Sequence, residues 1–189
     1  MNHIWKFDEW KDLELHSVKD KILNISANSL RLGDLIVRDL CLLASSNKTP
    51  VGLYVFSDTR EVLYAGKTHG RSLHERMISH IDHRDPIAGS PHLARLAQSL
   101  VKLGDALSGS EAVERILDMK TIWLPIPSSV CSHGNHKKFI AMVERRLLWH
   151  GCLDPKYNSP RVKRNDTFSI KGRRYDLTPA TALGSVSLI

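Results

Sequence analysis

The chain has 189 residues, 42% of them hydrophobic, which is ample for one compact core with an appended segment. Lys and Arg outnumber Asp and Glu by 27 to 20, a formal net charge of +7 that favours a polyanionic partner, and no apolar run approaches the ~18 residues of a membrane helix. Three widely spaced cysteines (Cys41, Cys131, Cys152), no CxxC pair and an acidic start (Asp8, Glu9, Asp12, Glu14) argue against a disulfide framework and a secretory leader, so a cytoplasmic protein is expected.

Residues 1–49 read as a helical extension, with Trp5, Trp10, Leu13 and Leu15 early in it. From 34 to 44, Leu35, Ile36, Leu40, Leu42 and Leu43 fall on one broad face, which predicts a helix. The polar, Pro-containing run 45–50 reads as a loop. Two strands follow, 51–56 and 62–65, rich in Val, Leu, Tyr and Phe and joined by 57–61 in a hairpin with a rather long loop.

Leu73, Met77, Ile78 and Ile81 then change to helical spacing, opened by Ser72 as N-cap with Glu75 three residues on. Pro91 predicts a second helix start, running through Leu93, Leu96, Leu100 and Leu103 to Gly104, and 111–119 a third. Residues 120–126 return to strand composition, ended by Pro125, and 136–150 form a last helix stopped by Gly151. The chain thus divides into the extension, a core over 50–160 with a helical insertion at about 84–119, and a basic arm over 161–189. That arm is sparse in large apolar residues and reads as either wrapping or partly disordered.

Chemistry concentrates where the hairpin meets the next helix. Gly52-Leu53-Tyr54 and Tyr64-Ala65-Gly66 sit ten residues apart with Lys67 following, and Arg76 and His80, four apart, share a helix face while Leu73 and Met77 lie towards the core. Arg holds a phosphate bidentately and stabilises charge building on phosphorus. His80 would position water or leaving group, and the two phenols would orient or activate the attacking water. Taken singly, each of these residues also has an ordinary reading as a strand aromatic or a solvated helix charge.

A different site is offered by Cys131, His133 and His136, but their spacing does not match paired zinc knuckles, and a polar loop before a helix explains them. His69, His74, His83 and His92 are expected near the cleft in solvated or DNA-contacting roles. The densest basic groups are Lys137 with Lys138, Arg145 with Arg146, Arg161 with Lys163 and Arg164, and Lys171 with Arg173 and Arg174. With few aromatics among them, they fit backbone contact with double-stranded DNA better than stacking on single strands.

Gly52-Leu53-Tyr54, Tyr64-Ala65-Gly66, Lys67-Thr68, Leu73, Arg76 and His80, followed by Glu144 in VERRLLWHG and by Pro155 and Asn158 in DPKYN, resemble the signature of the GIY-YIG nuclease family over residues 51–158. Leu53 and Ala65 replace Ile, both apolar. The sixty-three residues between His80 and Glu144 resemble the elaborated members, including restriction endonucleases.

The resemblance implies an α+β fold, a small central antiparallel sheet flanked by helices, and hydrolysis of a phosphodiester with Mg²⁺ or Mn²⁺. By the same resemblance Tyr54 and Tyr64 would arrange the nucleophile, Arg76 and His80 would contact the scissile phosphate, Glu144 would bind the metal and Asn158 would support the site. Gly66, Lys67, Lys137, Lys138, Arg161, Lys163 and Arg164 are the expected substrate-binding positions. The expectation is an endonuclease acting on double-stranded DNA in restriction or phage defence, with cutting of both strands requiring a homodimer or repeated visits. The alternatives are a nucleic-acid-binding module without catalysis, or an interaction domain anchored by Trp5 and Trp10.

Overall fold

A computed structural model of the chain describes residues 4–35, 51–71, 73–84, 92–130, 136–149, 152–158, 167–170, 173–176 and 187–188. Among these, six α-helices surround a three-stranded antiparallel sheet of β1 (Gly52–Ser57), β2 (Val62–Thr68) and β5 (Lys120–Pro125), in the order β2-β1-β5. The architecture is α+β, as expected. None of these helices is long and apolar enough to cross a membrane.

β1 is central and buried at every position, so its near-continuous apolar run serves both faces of the sheet. Leu53 and Val55 face one cluster with Trp10, Ile22, Ile122, Ile140 and Val143, beneath α2 (Leu15–Ser26) and α6 (His136–Trp149). Tyr54 and Phe56 face the other, with Met77, Leu96, Leu100 and Ile116 of α3 (Leu73–Ile81), α4 (Arg95–Lys102) and α5 (Gly109–Asp118). A Cβ at Gly52 would run into the backbone of Leu124 and Pro125, which is why a glycine opens this strand.

β2 outruns its expected end at Ala65. Gly66, Lys67 and Thr68 stay in the ladder opposite Tyr54, Leu53 and Gly52, so strand pairing overrides the turn tendency of Gly-Lys. Gly70, at φ 77°, then turns the chain away. In the 57–61 loop, Asp58 Oδ1 accepts from the backbone of Arg60 at 2.6 Å and of Glu61 at 2.7 Å.

α4 begins at Arg95 and not at Pro91, because His92–Leu93 (β4) pair with His83–Arg84 (β3). α5 opens on a reciprocal cap: Ser108 Oγ accepts from Glu111 N at 3.2 Å, and Glu111 Oε2 accepts from Leu107 N at 2.8 Å. Asp34 ends a 3₁₀ turn (Leu32–Asp34) and Leu35 is extended, so the helix expected from 34 does not start there. Positions 36–44 and the loop at 45–50 lie outside the described residues, as do 85–91 of the insertion.

Residues 4–35 contribute to the core. Trp5 and Trp10 are buried, Trp10 beside Phe7 of the short α1 (Phe7–Trp10) with ring centroids 4.7 Å apart, and Trp10 Nε1 donates to Trp5 O at 3.2 Å. Neither indole is therefore free to anchor a partner. Trp5 N donates to Trp123 O (2.8 Å) and Thr121 N to Leu30 O (2.9 Å), so this segment lines the outer edge of β5. The outer edge of β2 is lined in turn by residues 156–158: Lys156 N donates to Val62 O and Tyr157 N to Leu63 O.

The described parts of the arm are strands, not a structureless tail. Thr167–Ile170 (β6) pairs antiparallel with Arg173–Asp176 (β7), and β7 with Ser187–Leu188 (β8). Two residues separate β6 from β7, the length of the commonest hairpin connection. Local hairpin formation needs few apolar residues, which is why composition did not reveal it.

Candidate functional site

The helices on opposite faces of the sheet meet beyond the end of β2. There a cleft of about 290 Å³ is lined by Lys67, Thr68, His69, Arg71, Arg76, Lys137, Ala141 and Glu144. Register explains the convergence: Lys67 lies opposite Leu53 on the α6 side, and Gly66 opposite Tyr54 on the α3 side. Four cationic side chains thus face one carboxylate.

Arg76 is held from behind. Its Nε donates to Tyr54 Oη at 3.2 Å, and that oxygen lies 2.7 Å from His80 Nε2. Tyr54 is 0% exposed and His80 5%, packed among Phe56 and Tyr64 with the Tyr64 and His80 rings 5.0 Å apart. Gly66 makes room for this. A Cβ there would overlap the phenol oxygen and ring of Tyr54, so only glycine lets the phenol cross the neighbouring strand.

Burial, with Arg76 nearby, pushes the His80 pKa down to about 4, leaving the ring neutral at physiological pH. Tyr54 Oη thus accepts from Arg76 while lying within hydrogen-bond distance of the neutral His80 ring. Burial chiefly, and Tyr64, raise the pKa of Tyr54 against the opposing pull of Arg76, so it stays a phenol. For Arg76 burial acts against the charge, but Tyr54, Tyr64 and Glu144 outweigh it and its pKa rises. His69 is held below its ordinary pKa by burial and by Lys137, His136 and Lys67, and is neutral as well.

His80 therefore makes stability depend on acid. Between about pH 4 and pH 6.5 the unfolded chain binds a proton at this position that the folded chain does not, so stability is lost as pH falls through that window. The loss reaches about 3 kcal/mol. Urea midpoints at pH 4.5 and 7 should diverge in the wild type and diverge much less in His80→Gln; equal slopes in the two proteins would contradict the buried neutral ring.

Glu144 on α6 is buried, and its Oε2 lies 2.7 Å from Lys67 Nζ. Asn158 does not reach the cleft. Its side chain pairs with the backbone of Ala65, Oδ1 accepting from N at 2.9 Å and Nδ2 donating to O at 2.8 Å, which clamps β2 between Tyr64 and Gly66. Lys137 lines the cleft, whereas Lys138 is exposed and outside the lining. Arg146 is 0% exposed and so belongs to the interior, not to a DNA-binding surface with Arg145. Arg161, Lys163 and Arg164 lie outside the described residues.

Arg71 was not singled out from sequence, and Thr68 only as the second residue of the Lys67-Thr68 motif. The available signal was their place just after Lys67, where the chain leaves β2. Of the residues expected to meet substrate, Arg76, Lys67, Lys137 and Glu144 share the cleft, while Tyr54 and His80 stand behind Arg76 and only Tyr64 of the two phenols is partly exposed.

Among the described residues no three His, Cys, Asp or Glu side chains gather as a metal cluster, and Glu144 is the single carboxylate of the cleft. Of the zinc alternative's residues, His136 Nε2 lies 2.8 Å from Ile126 O, and Cys131 and His133 lie outside the described residues. A Mg²⁺ ion that keeps most of its waters and takes oxygens from a phosphate needs only one or two carboxylates. A buried Glu144 whose oxygen already faces a cation, the Lys67 ammonium, fits that mode.

Scanned against family models and compared with curated proteins and with solved structures, the chain matches none.

Proposed function

We propose that the chain is an endonuclease that hydrolyses phosphodiester bonds of double-stranded DNA with Mg²⁺ or Mn²⁺, in keeping with its resemblance to the GIY-YIG nucleases. The observation that carries the reading is the convergence of Arg76 from α3 and Glu144 from α6 on one cationic cleft, with Arg76 braced by Tyr54. Bound through its terminal nitrogens, Arg76 holds the phosphate and stabilises the charge that grows on its oxygens. Glu144 would hold the divalent ion, which supplies further neutralisation of that charge. Water adds to phosphorus, one P–O ester bond breaks, and the departing oxygen takes a proton.

Tyr54, buried and neutral, serves in this reading as a positioning residue for Arg76, and the partly exposed Tyr64 is the phenol that would orient the attacking water. Apart from the His69 imidazole the lining carries no aromatic ring on which a base would stack, which favours contact with the backbone of a duplex. A restriction or defence role, with paired subunits for cutting both strands, is the setting proposed for it.

Plasmids of varied sequence incubated with Mg²⁺ test the reading. The wild type should cut, and Glu144→Gln should cut about a hundredfold more slowly. Equal cutting by both, or none by the wild type on any DNA, would count against it. The ion pair that already occupies Glu144 favours one second reading, a binding module without chemistry. Salt-sensitive DNA binding with no cleavage in any divalent metal would establish that instead.

A further inference from the structure

We infer that Lys67 is a displaceable counter-ion of Glu144: it holds the carboxylate until a divalent cation takes over that charge, and is then released to a substrate phosphate. The inference rests on the reading of Glu144 as the metal-binding residue.

The pair is close, with Lys67 Nζ 2.7 Å from Glu144 Oε2, and unequal in freedom. The Glu144 side chain is 8% exposed in the wall of α6, whereas that of Lys67 is 38% exposed. Lys67 is therefore the partner that can leave. Its backbone is fixed, since its pairing with Leu53 continues into that of Thr68 with Gly52, where Thr68 Oγ1 accepts from Gly52 N at 3.1 Å. Only the flexible side chain need move.

Charge gives the exchange its direction. Lys67 is the ammonium in direct contact with the buried Glu144 oxygen, and removing that contact is costly unless another cation takes its place. A divalent ion entering beside Arg71, Arg76 and Lys137 meets repulsion that a polyanion relieves. A freed Lys67 ammonium adds to the attraction for that polyanion. Metal and nucleic acid thus favour each other's binding, and the DNA-free chain binds metal weakly.

Direct Mn²⁺ titration of the DNA-free protein, followed by the electron paramagnetic resonance of the free ion, tests the exchange. Lys67→Met keeps the aliphatic stem and removes the competitor, and should bind Mn²⁺ roughly tenfold more tightly than the wild type. Lys67→Arg, which keeps the ion pair, should bind no more tightly. Glu144→Gln should abolish binding in either background. Unchanged or weaker binding by Lys67→Met, with Glu144→Gln still abolishing it, would overturn the counter-ion role and leave Glu144 as the metal residue. Binding that survives Glu144→Gln in the Lys67→Met background would overturn both. Thermal melts accompany each variant, and Lys67→Gln provides the same comparison should Lys67→Met melt early.

Discussion

Arg76→Ala is expected to reduce DNA cleavage about 10³-fold while the protein remains folded, because it removes the one guanidinium in the cleft that is braced from behind. With Nε committed to Tyr54, the guanidinium plane is set and its terminal nitrogens are left for the phosphate. Alanine leaves the bond between Tyr54 and His80 in place, so the interior keeps its main contact. Arg76→Lys should recover little, since an ammonium offers a point charge without the fork. Initial rates on a plasmid, with a urea melt of each variant, decide the matter. A variant that cuts at more than a tenth of the wild-type rate would show that Arg76 is only one of several interchangeable cations.

Gly66→Ala carries the largest expected effect on the fold itself. Its Cβ would fall on the oxygen and ring of Tyr54, and Tyr54 is enclosed on its other sides by Phe56, Tyr64 and His80, so the ring has nowhere to go. Overpacking of this kind costs about 3 kcal/mol. Activity should fall with it, because a displaced phenol no longer braces Arg76. A double-mutant cycle identifies the cause: in a Tyr54→Ala background, adding Gly66→Ala should cost less than half of what it costs in the wild type, as measured by urea denaturation. Equal costs in both backgrounds would place the strain elsewhere.

Most of the secondary structure was legible because it rests on local pattern. The hairpin, the helix carrying Arg76 and His80, and the helix carrying Glu144 follow from periodicity, and their ends differ by a few residues where pairing extends or trims them; the expected N-cap Ser72 and stop Gly151 lie outside the described residues. What periodicity does not encode is depth. Tyr54 and His80 are buried because α3, α4 and α5 close over that side of the sheet, and Arg146 is buried although its sequence neighbours look solvated. The Lys67–Glu144 pair joins residues distant in sequence and depends on β2 running on to Thr68. The N-terminal segment read as an extension because its tryptophans are scattered, yet their side chains fill the same core as β1. The strands of the arm were missed for the opposite reason, being local but poor in the residues that signal burial.

The two flanking segments that line β5 and β2 have a practical meaning. A three-stranded sheet left open on either side would offer bare backbone donors and acceptors to any extended chain, and the usual outcome is sticking between molecules. Here residues 4–5 and 30–32 lie along one side and 156–158 along the other. Trimming the chain to a minimal catalytic piece by discarding the first fifty residues would therefore uncover a strand and part of the core, and the product is expected to aggregate before it can be assayed. By the same token, the lined stretches of β5 and β2 offer no open strand edge to a second copy of the chain.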